Sequence, residues 1–330
     1  MKIGDVASLI LALLFLLVTF AASILFGAAQ TTWQDAWSAL TSPTVTDQAL
    51  IIREIRLPRE IGAVFVGAAL AVAGAVMQGI TRNPLADPGL LGITAGANVA
   101  LAFSLAFIPS VGYVGYMFSG WIGAAFGAFL VIGIASTRKG GFKPFRLVLA
   151  GAAVTALLVA IAEAIGLVFQ ITREVSAWTA GGLIGTTWTQ LYIIVPTIIV
   201  SLIIVLMLAR QVTLLSLDED VATGLGASVT KVKLWLFFFV IILAGSSVAL
   251  VGNIAFVGLM IPHIVRKLVG TDYRMIIPMS ALVGGAFMVG ADTLARVMFA
   301  PIETPVVAII SVCGLPFFLW VVKTQGREFA

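Results

Sequence analysis

The sequence predicts an all-α protein: a polytopic transmembrane helical bundle of about ten helices, with short helices on its cytoplasmic side. Three observations carry that reading. Of 330 residues, 61% are hydrophobic and 10% charged, where soluble domains carry about 25% charged residues. Mean hydropathy is +1.13, and apolar runs close to the ~20 residues needed to cross ~30 Å of hydrocarbon recur along the chain. Between the runs lie short polar turns that hold most of the Lys and Arg. With no soluble domain, low-complexity tract or clear repeat, residues 1–330 read as one membrane domain.

The first run, roughly 6–28, follows Lys2, and its apolar stretch from Leu9 to Phe26 is longer than that of a signal peptide, so it reads as an uncleaved helix. The second, 60–80, places Ala63, Gly67, Ala71, Ala75 and Gly79 four residues apart. Such a small-xxx-small stripe lets helix backbones approach closely, which puts this helix inside the bundle. Its flanks, Arg56-Leu57-Pro58-Arg59 and Arg82-Asn83-Pro84-Leu85-Ala86-Asp87-Pro88, are expected to end the helix and mark the two membrane faces, because Pro removes a donor and disfavours helix before it. Further runs fall at 91–108, 113–136, 144–169, 191–209, 234–250, 254–269, 275–299 and 305–322, the eighth being the shortest. With the N-terminus inside, fourteen Lys and Arg face the cytoplasm and five (Arg53, Arg56, Arg59, Arg173, Arg296) face out, as the positive-inside rule requires. The basic balance thus reflects topology and gives no support to a nucleic-acid partner.

One large cytoplasmic excursion, Arg210 to Lys233, is too polar to span. Ser216 with Glu219 fits a capping box, Asp218, Glu219 and Asp220 suit a helix N-terminus, and Gly224 and Gly226 offer an exit. A short helix from 217 to about 224 is expected, then a second start at Ser228 leading into the seventh run. The residues alone leave two readings open, an ordinary capped turn and a rigid knob that passes force to a partner.

Glu163 and Asp292 lie in apolar runs, where an unpaired acid costs about 2.5–3.5 kcal/mol. Asp292 has Arg296 one turn later in the favourable acid-before-base order, which suggests a structural ion pair near the outer face. Glu163 has no local partner and faces either a water-filled path or a neighbouring helix. His263, the sole histidine, has Arg266 on its face and no clustered Cys or acid, so it reads as a packing or interface residue rather than a metal ligand. Cys313, the sole cysteine, excludes an internal disulfide and reads most simply as a small packing residue. Trp178, Gly181, Gly182, Gly185, Trp188 and Tyr192 form a glycine-rich aromatic stretch that either anchors helices at the interface or forms the mouth of a substrate path. The chain lacks a phosphate-cradling Gly-x-x-x-x-Gly-Lys-Ser/Thr, a Gly-x-Ser-x-Gly and a His-Glu-x-x-His, which leaves enzyme readings without their chemistry.

These residues resemble a known family, the permease subunits of ABC importers for iron-siderophores, haem and cobalamin, often called the FecCD family. The resemblance rests on Arg56-Leu-Pro-Arg59, Gly67 to Gly74 with Gln78, Asn83-Pro-Leu-Ala-Asp-Pro88, Leu90-Leu-Gly92 with Gly96-Ala97, Ala222 to Gly226, Phe256 to His263 with Arg266, Asp292 with Arg296, Glu303-Thr-Pro305 and Gly314-Leu-Pro-Phe317, in order from about residue 53 to 320. It implies ten helices, a second permease subunit, identical or paralogous, around a central path, and two ATP-binding subunits that hold ATP and Mg, this chain binding no cofactor or metal. It implies an extracytoplasmic substrate-binding protein, a lipoprotein included, and a place in the bacterial cell membrane. Leu217, Asp218, Glu219, Ala222, Thr223, Gly224, Leu225 and Gly226 then look like a coupling helix seated in the ATPase. Arg56, Arg59 and Arg296 fall where the family receives acids of the binding protein. Pro305-Val306-Val307 departs from the family's usual Pro-x-Gly, so packing at the start of the tenth helix is expected to differ.

The Trp178…Gly181-Gly182-Leu183…Trp188 pattern is similar to that of many siderophore permeases and favours a ferric siderophore, a hydroxamate in particular, with haem and cobalamin as alternatives. Gln78, Glu163, Trp178 and Trp188 are the candidates for the substrate path. The competing class is an ion-coupled transporter built on Glu163 and Asp292; a channel lacks the ring of polar pore residues it would need.

Overall fold

The computed structural model describes residues 3–27, 32–41, 46–136, 144–217, 224 and 229–325, and within them the chain is helical without strands. Helix α1 (Ile3–Leu25), α2 (Trp33–Thr41) and α3 (Asp47–Leu50) precede a π-helical turn at Ile51–Arg56 and α4 (Leu57–Thr81). Then come α5 (Ile93–Phe107), α6 (Gly112–Ser136), α7 (Pro144–Val168), α8 (Thr172–Thr179), α9 (Trp188–Met207) and α10 (Ala209–Ser216). Helices α11 (Val229–Val251), α12 (Val257–Val269), α13 (Tyr273–Val297) and α14 (Val306–Gln325) complete the described chain. All ten predicted runs are helical; among the described residues eight helices are long and apolar enough to cross a membrane. The other two, α5 and α12, have 15 and 13 residues.

The bundle is built around α4. Its most apolar window is 83% buried, against 17% for α1. Ala63, Ala71 and Ala75 are fully buried. A Cβ on Gly67 would overlap the Gly284 carbonyl of α13, and one on Gly74 the backbone of Gly258 in α12. Gly67 within the four-residue stripe sets the closest approach to α13, and Gly74 beside the stripe sets that to α12, as small residues do where lipid offers no hydrophobic drive for association.

Two expectations about the ends of this helix are corrected. It does not stop at Arg56–Arg59: α3, the π turn and α4 form one continuous helix, Asp47–Thr81. In the wider turn the Leu57 N–H reaches back to the Ile52 carbonyl. Pro58 then sits at the first positions of α4, where a missing donor and a fixed φ are tolerated.

At the other end, Arg82 closes α4 in the left-handed conformation (φ 51). Asn83 Oδ1 accepts from the Leu85 N–H at 2.9 Å, and Asp87 Oδ1 from the Gly89 N–H at 2.7 Å. This turn does not stay at a membrane face. A Cβ on Gly258 would lie 3.0 Å from the Leu70 carbonyl, 3.0 Å from Pro88 Cδ and 3.2 Å from Asp87 Oδ2. Leu70 is midway along α4, so the chain folds back into the bundle, and the 88–91 turn that leads into α5 meets the start of α12 there. Thirteen residues rise only about 20 Å, consistent with a helix that begins inside. Irregular backbone at that depth is tolerated where it is covered by protein or lines a cavity.

The root of the polar excursion is also helical. Val212 and Leu215 of α10 are buried, and Thr213 Oγ1 accepts from the Tyr273 N–H at 3.0 Å. Ser216 is the last residue of α10, its hydroxyl donating to the Thr213 carbonyl at 2.7 Å, rather than the cap of a new helix. Its expected partner Glu219 lies outside the described residues.

Candidate functional site

Three basic and three acidic side chains meet where α1, α4 and α13 come together. Arg59 donates through Nε and Nη2 to the two oxygens of Asp292, both at 2.9 Å, and through Nη1 to Glu303 at 2.8 Å. Arg296 lies 3.1 Å from Asp292, the i,i+4 pair expected from spacing, and its Nη2 also donates to Glu60. Arg56 Nη1 donates to the Ile24 carbonyl at 2.5 Å, and Arg296 Nη2 to the Ser23 carbonyl at 3.3 Å. Both cations thus serve the orphan carbonyls at the C-terminus of α1.

The exposed docking patch expected of Arg56, Arg59 and Arg296 is not formed in this chain. The three are 4%, 6% and 3% exposed, and Glu60 and Asp292 are fully buried. Burying a guanidinium is costly unless acids and hydrogen bonds compensate it, and here acids from α4, α13 and the turn after α13 do so. Sequence reasoning missed Glu60, which stands at the first residue of the 60–80 run rather than inside it as Glu163 and Asp292 stand in theirs; an acid bordering an apolar run was the signal that could have found it.

Two of the four path candidates instead repair backbone disrupted by proline. Pro262 has no N–H for the Gly258 carbonyl four residues earlier. Gln78 Nε2 donates to the Gly258 and Leu259 carbonyls at 3.3 and 3.2 Å, and its Oε1 accepts from Arg266 Nη2 at 2.8 Å. In the π turn, Pro58 likewise offers no N–H to the Arg53 carbonyl, which accepts instead from Trp188 Nε1 at 3.0 Å. Gln78 and Trp188 are therefore brackets between helices. His263 packs edge-on against Phe317 and Trp320, with ring centroids 5.6 and 6.4 Å away, and Lys267 Nζ lies 3.9 Å over the Trp320 ring.

The other two candidates do line cavities. Trp178, its ring centroid 5.1 Å from that of Tyr113, borders a space of about 370 Å³ with Glu174, Gly181, Gly182 and Gly252. Gly181 and Gly182 have φ of 70 and 142, and the Gly182 N–H bonds the Val251 carbonyl at 2.7 Å, which ties this loop to the end of α11. Glu163 lines a larger cavity of about 490 Å³ between α5, α7 and α8, together with Thr94, Asn98, Thr155, Ser176 and Asn253. The folded-back turn supplies its floor through Gly89. Of the coupling residues, Leu217 is exposed and follows α10 as its C-cap, and Gly224 is exposed. Asp218, Glu219, Ala222, Thr223, Leu225 and Gly226 lie outside the described residues.

Comparison with known proteins gives a consistent answer. The model of the FecCD transport family matches residues 14–324. The chain is 43% identical over 326 residues to the iron(3+)-hydroxamate import system permease protein FhuB of Bacillus subtilis, covering 98% of this chain and 85% of that protein. It is 39% identical to the hemin transport system permease protein HmuU of Yersinia pestis, covering 96% and 95%. A solved structure described as a metal-chelate type ABC transporter in an inward-facing conformation superposes with a TM-score of 0.82 at 28% identity, covering 96% of this chain and 98% of the other.

Proposed function

The chain belongs to the FecCD transport family, and from that membership we propose that it carries ferric siderophores of the hydroxamate class across the bacterial cytoplasmic membrane. The observation that supports this cargo most directly is the 43% identity to a hydroxamate permease across nearly the whole chain. Haem is the second reading, on the strength of the 39% identity to a hemin permease.

In this reading two separate ATP-binding subunits supply the energy, and the chain itself hydrolyses nothing. Leu217 to Gly226 seats in those subunits, rooted by α10, whose Val212 and Leu215 are packed into the bundle. A second permease subunit completes the path. An extracytoplasmic binding protein delivers cargo to the outer face, above the buried arginine network that holds α1, α4 and α13 in register. Glu163 and Trp178 are the path-lining candidates that remain. The ion-coupled alternative loses one of its two acids, since Asp292 is fully engaged with Arg59 and Arg296.

The test is to purify the complex, identify the co-purifying chains, and measure uptake of a ferric trihydroxamate into proteoliposomes with ATP, and with a proton gradient in its place. ATP-dependent uptake is expected. Uptake that follows the proton gradient without ATP refutes the reading.

A further inference from the structure

The cavity between α5, α7 and α8 contains two acceptor groups with nothing to accept from. Asn98 is 7% exposed, and its Oδ1 has no hydrogen-bond partner while the side chain borders the cavity. Glu163 is exposed on α7, a helix long and apolar enough to span, and it makes no hydrogen bond or ion pair among the described residues. An acid held against hydrocarbon is strongly disfavoured, so intramembrane acids face water or a partner group. The cavity beside Glu163 offers room for such a group. No Lys, Arg or His among the described residues lines it, and Glu163 is its one ionisable group. Arg173 on α8 is not among the lining residues, which on that helix are Val175, Ser176 and Thr179. At about 490 Å³, the space is within the range of small-molecule sites, and it is large enough for an arm of a chelate.

Resting on the transport reading above, we propose that this cavity is a charge-selecting subsite of the path. It receives the hydrogen-bond donors of a ferric hydroxamate, above all a cationic arm, and rejects chelates of net negative charge. The chemistry follows from charge count. Three hydroxamate monoanions neutralise Fe(III) and leave a neutral chelate, and the amide N–H groups of the backbone that links its hydroxamates suit Asn98 Oδ1. Three catecholate dianions leave a net charge of −3, which Glu163 repels. Discrimination of this kind comes as much from the repelled competitor as from the favoured ligand.

The experiment measures initial uptake into proteoliposomes of the reconstituted importer with its binding protein. Three iron-labelled chelates are used: a neutral cyclic trihydroxamate, a linear trihydroxamate with a free ammonium, and a tris-catecholate. Comparing each variant with wild type under the same binding protein cancels that protein's own selectivity. Glu163→Gln, at an exposed position, should lower the cationic-to-neutral uptake ratio about tenfold, which corresponds to ~1.4 kcal/mol. Glu163→Lys should lower it further and raise the catecholate-to-neutral ratio. If the ratios of both variants stay within about twofold of wild type while wild type imports the neutral trihydroxamate, the subsite is refuted and the transport reading stands. If wild type imports no trihydroxamate with ATP, the transport reading fails and the subsite with it.

Discussion

Replacing Asp292 by Asn tests whether the buried arginine network is held together by charge or merely surrounded by packing. Asp292 is fully buried and accepts two hydrogen bonds of 2.9 Å from Arg59 while standing 3.1 Å from Arg296. Hydrogen bonds to charged groups contribute about 1.5–3 kcal/mol each, and removing one member of a buried ion pair costs about 3–5 kcal/mol because the partner stays buried and uncompensated. Arg59 retains Glu303 and Arg296 retains Glu60, so the lower half of that range, about 3–4 kcal/mol, is expected for Asp292→Asn. Chemical denaturation in detergent, followed by the circular dichroism of the helices, reads it. Pairing Asp292→Asn with Arg296→Met should destabilise by clearly less than the sum of the single changes, since the second removes a cation that the first leaves short of acid. A loss below about 1 kcal/mol for Asp292→Asn, or strict additivity in the double variant, refutes the reasoning and makes Asp292 a packing residue.

Four further outcomes are expected. Gly74→Ala should cost about 1–3 kcal/mol, because its Cβ would enter the backbone of Gly258; Gly133→Ala, which meets nothing within 4 Å, should be neutral or stabilise by about 0.5–1 kcal/mol, and thermal melts of the two distinguish contact from propensity. Trp188→Phe should remove the Nε1 donor to the Arg53 carbonyl and cost about 1–2 kcal/mol, visible as faster amide exchange in residues 51–57. Asp35 is held below its ordinary value of 3.8 by hydrogen bonds from the Thr32 hydroxyl and N–H. A depressed acid contributes stability above its unfolded value and loses it as pH falls through the lower folded value, so amide exchange at the start of α2 should accelerate only below pH 3.8, a step absent in Asp35→Ala. Gly226→Pro, within the proposed coupling segment, should leave membrane insertion intact while uncoupling ATP hydrolysis from uptake; normal uptake by a well-expressed variant refutes the coupling assignment.

The helices were legible because their determinants are local. Eight of the ten predicted runs are apolar stretches whose length answers to the thickness of hydrocarbon. The small-residue stripe of α4 announced close packing, and the Asp292–Arg296 pair followed from the pitch of one helix. The continuation of Asp47–Thr81 through Pro58 was not legible, since it depends on a π turn whose freed carbonyl is satisfied by Trp188, 135 residues away in sequence. Gln78 was singled out as polar and intramembrane, yet its task is defined by a carbonyl that Pro262 leaves open on another helix.

The same division runs through the candidate site. By itself, the sequence determined that the chain is a membrane bundle, which helix is central, and that Glu163 and Asp292 need an explanation. The tertiary structure alone decided that Arg59 turns inward to Asp292 and Glu303 and Arg296 to Glu60, and that Glu163 shares a cavity with an unsatisfied Asn98. The reason is physical: periodicity states which face of a helix is small or polar, whereas the identity of the group opposite depends on how helices far apart in the chain cross and how deeply the turn at Asp87-Pro88 folds back between them.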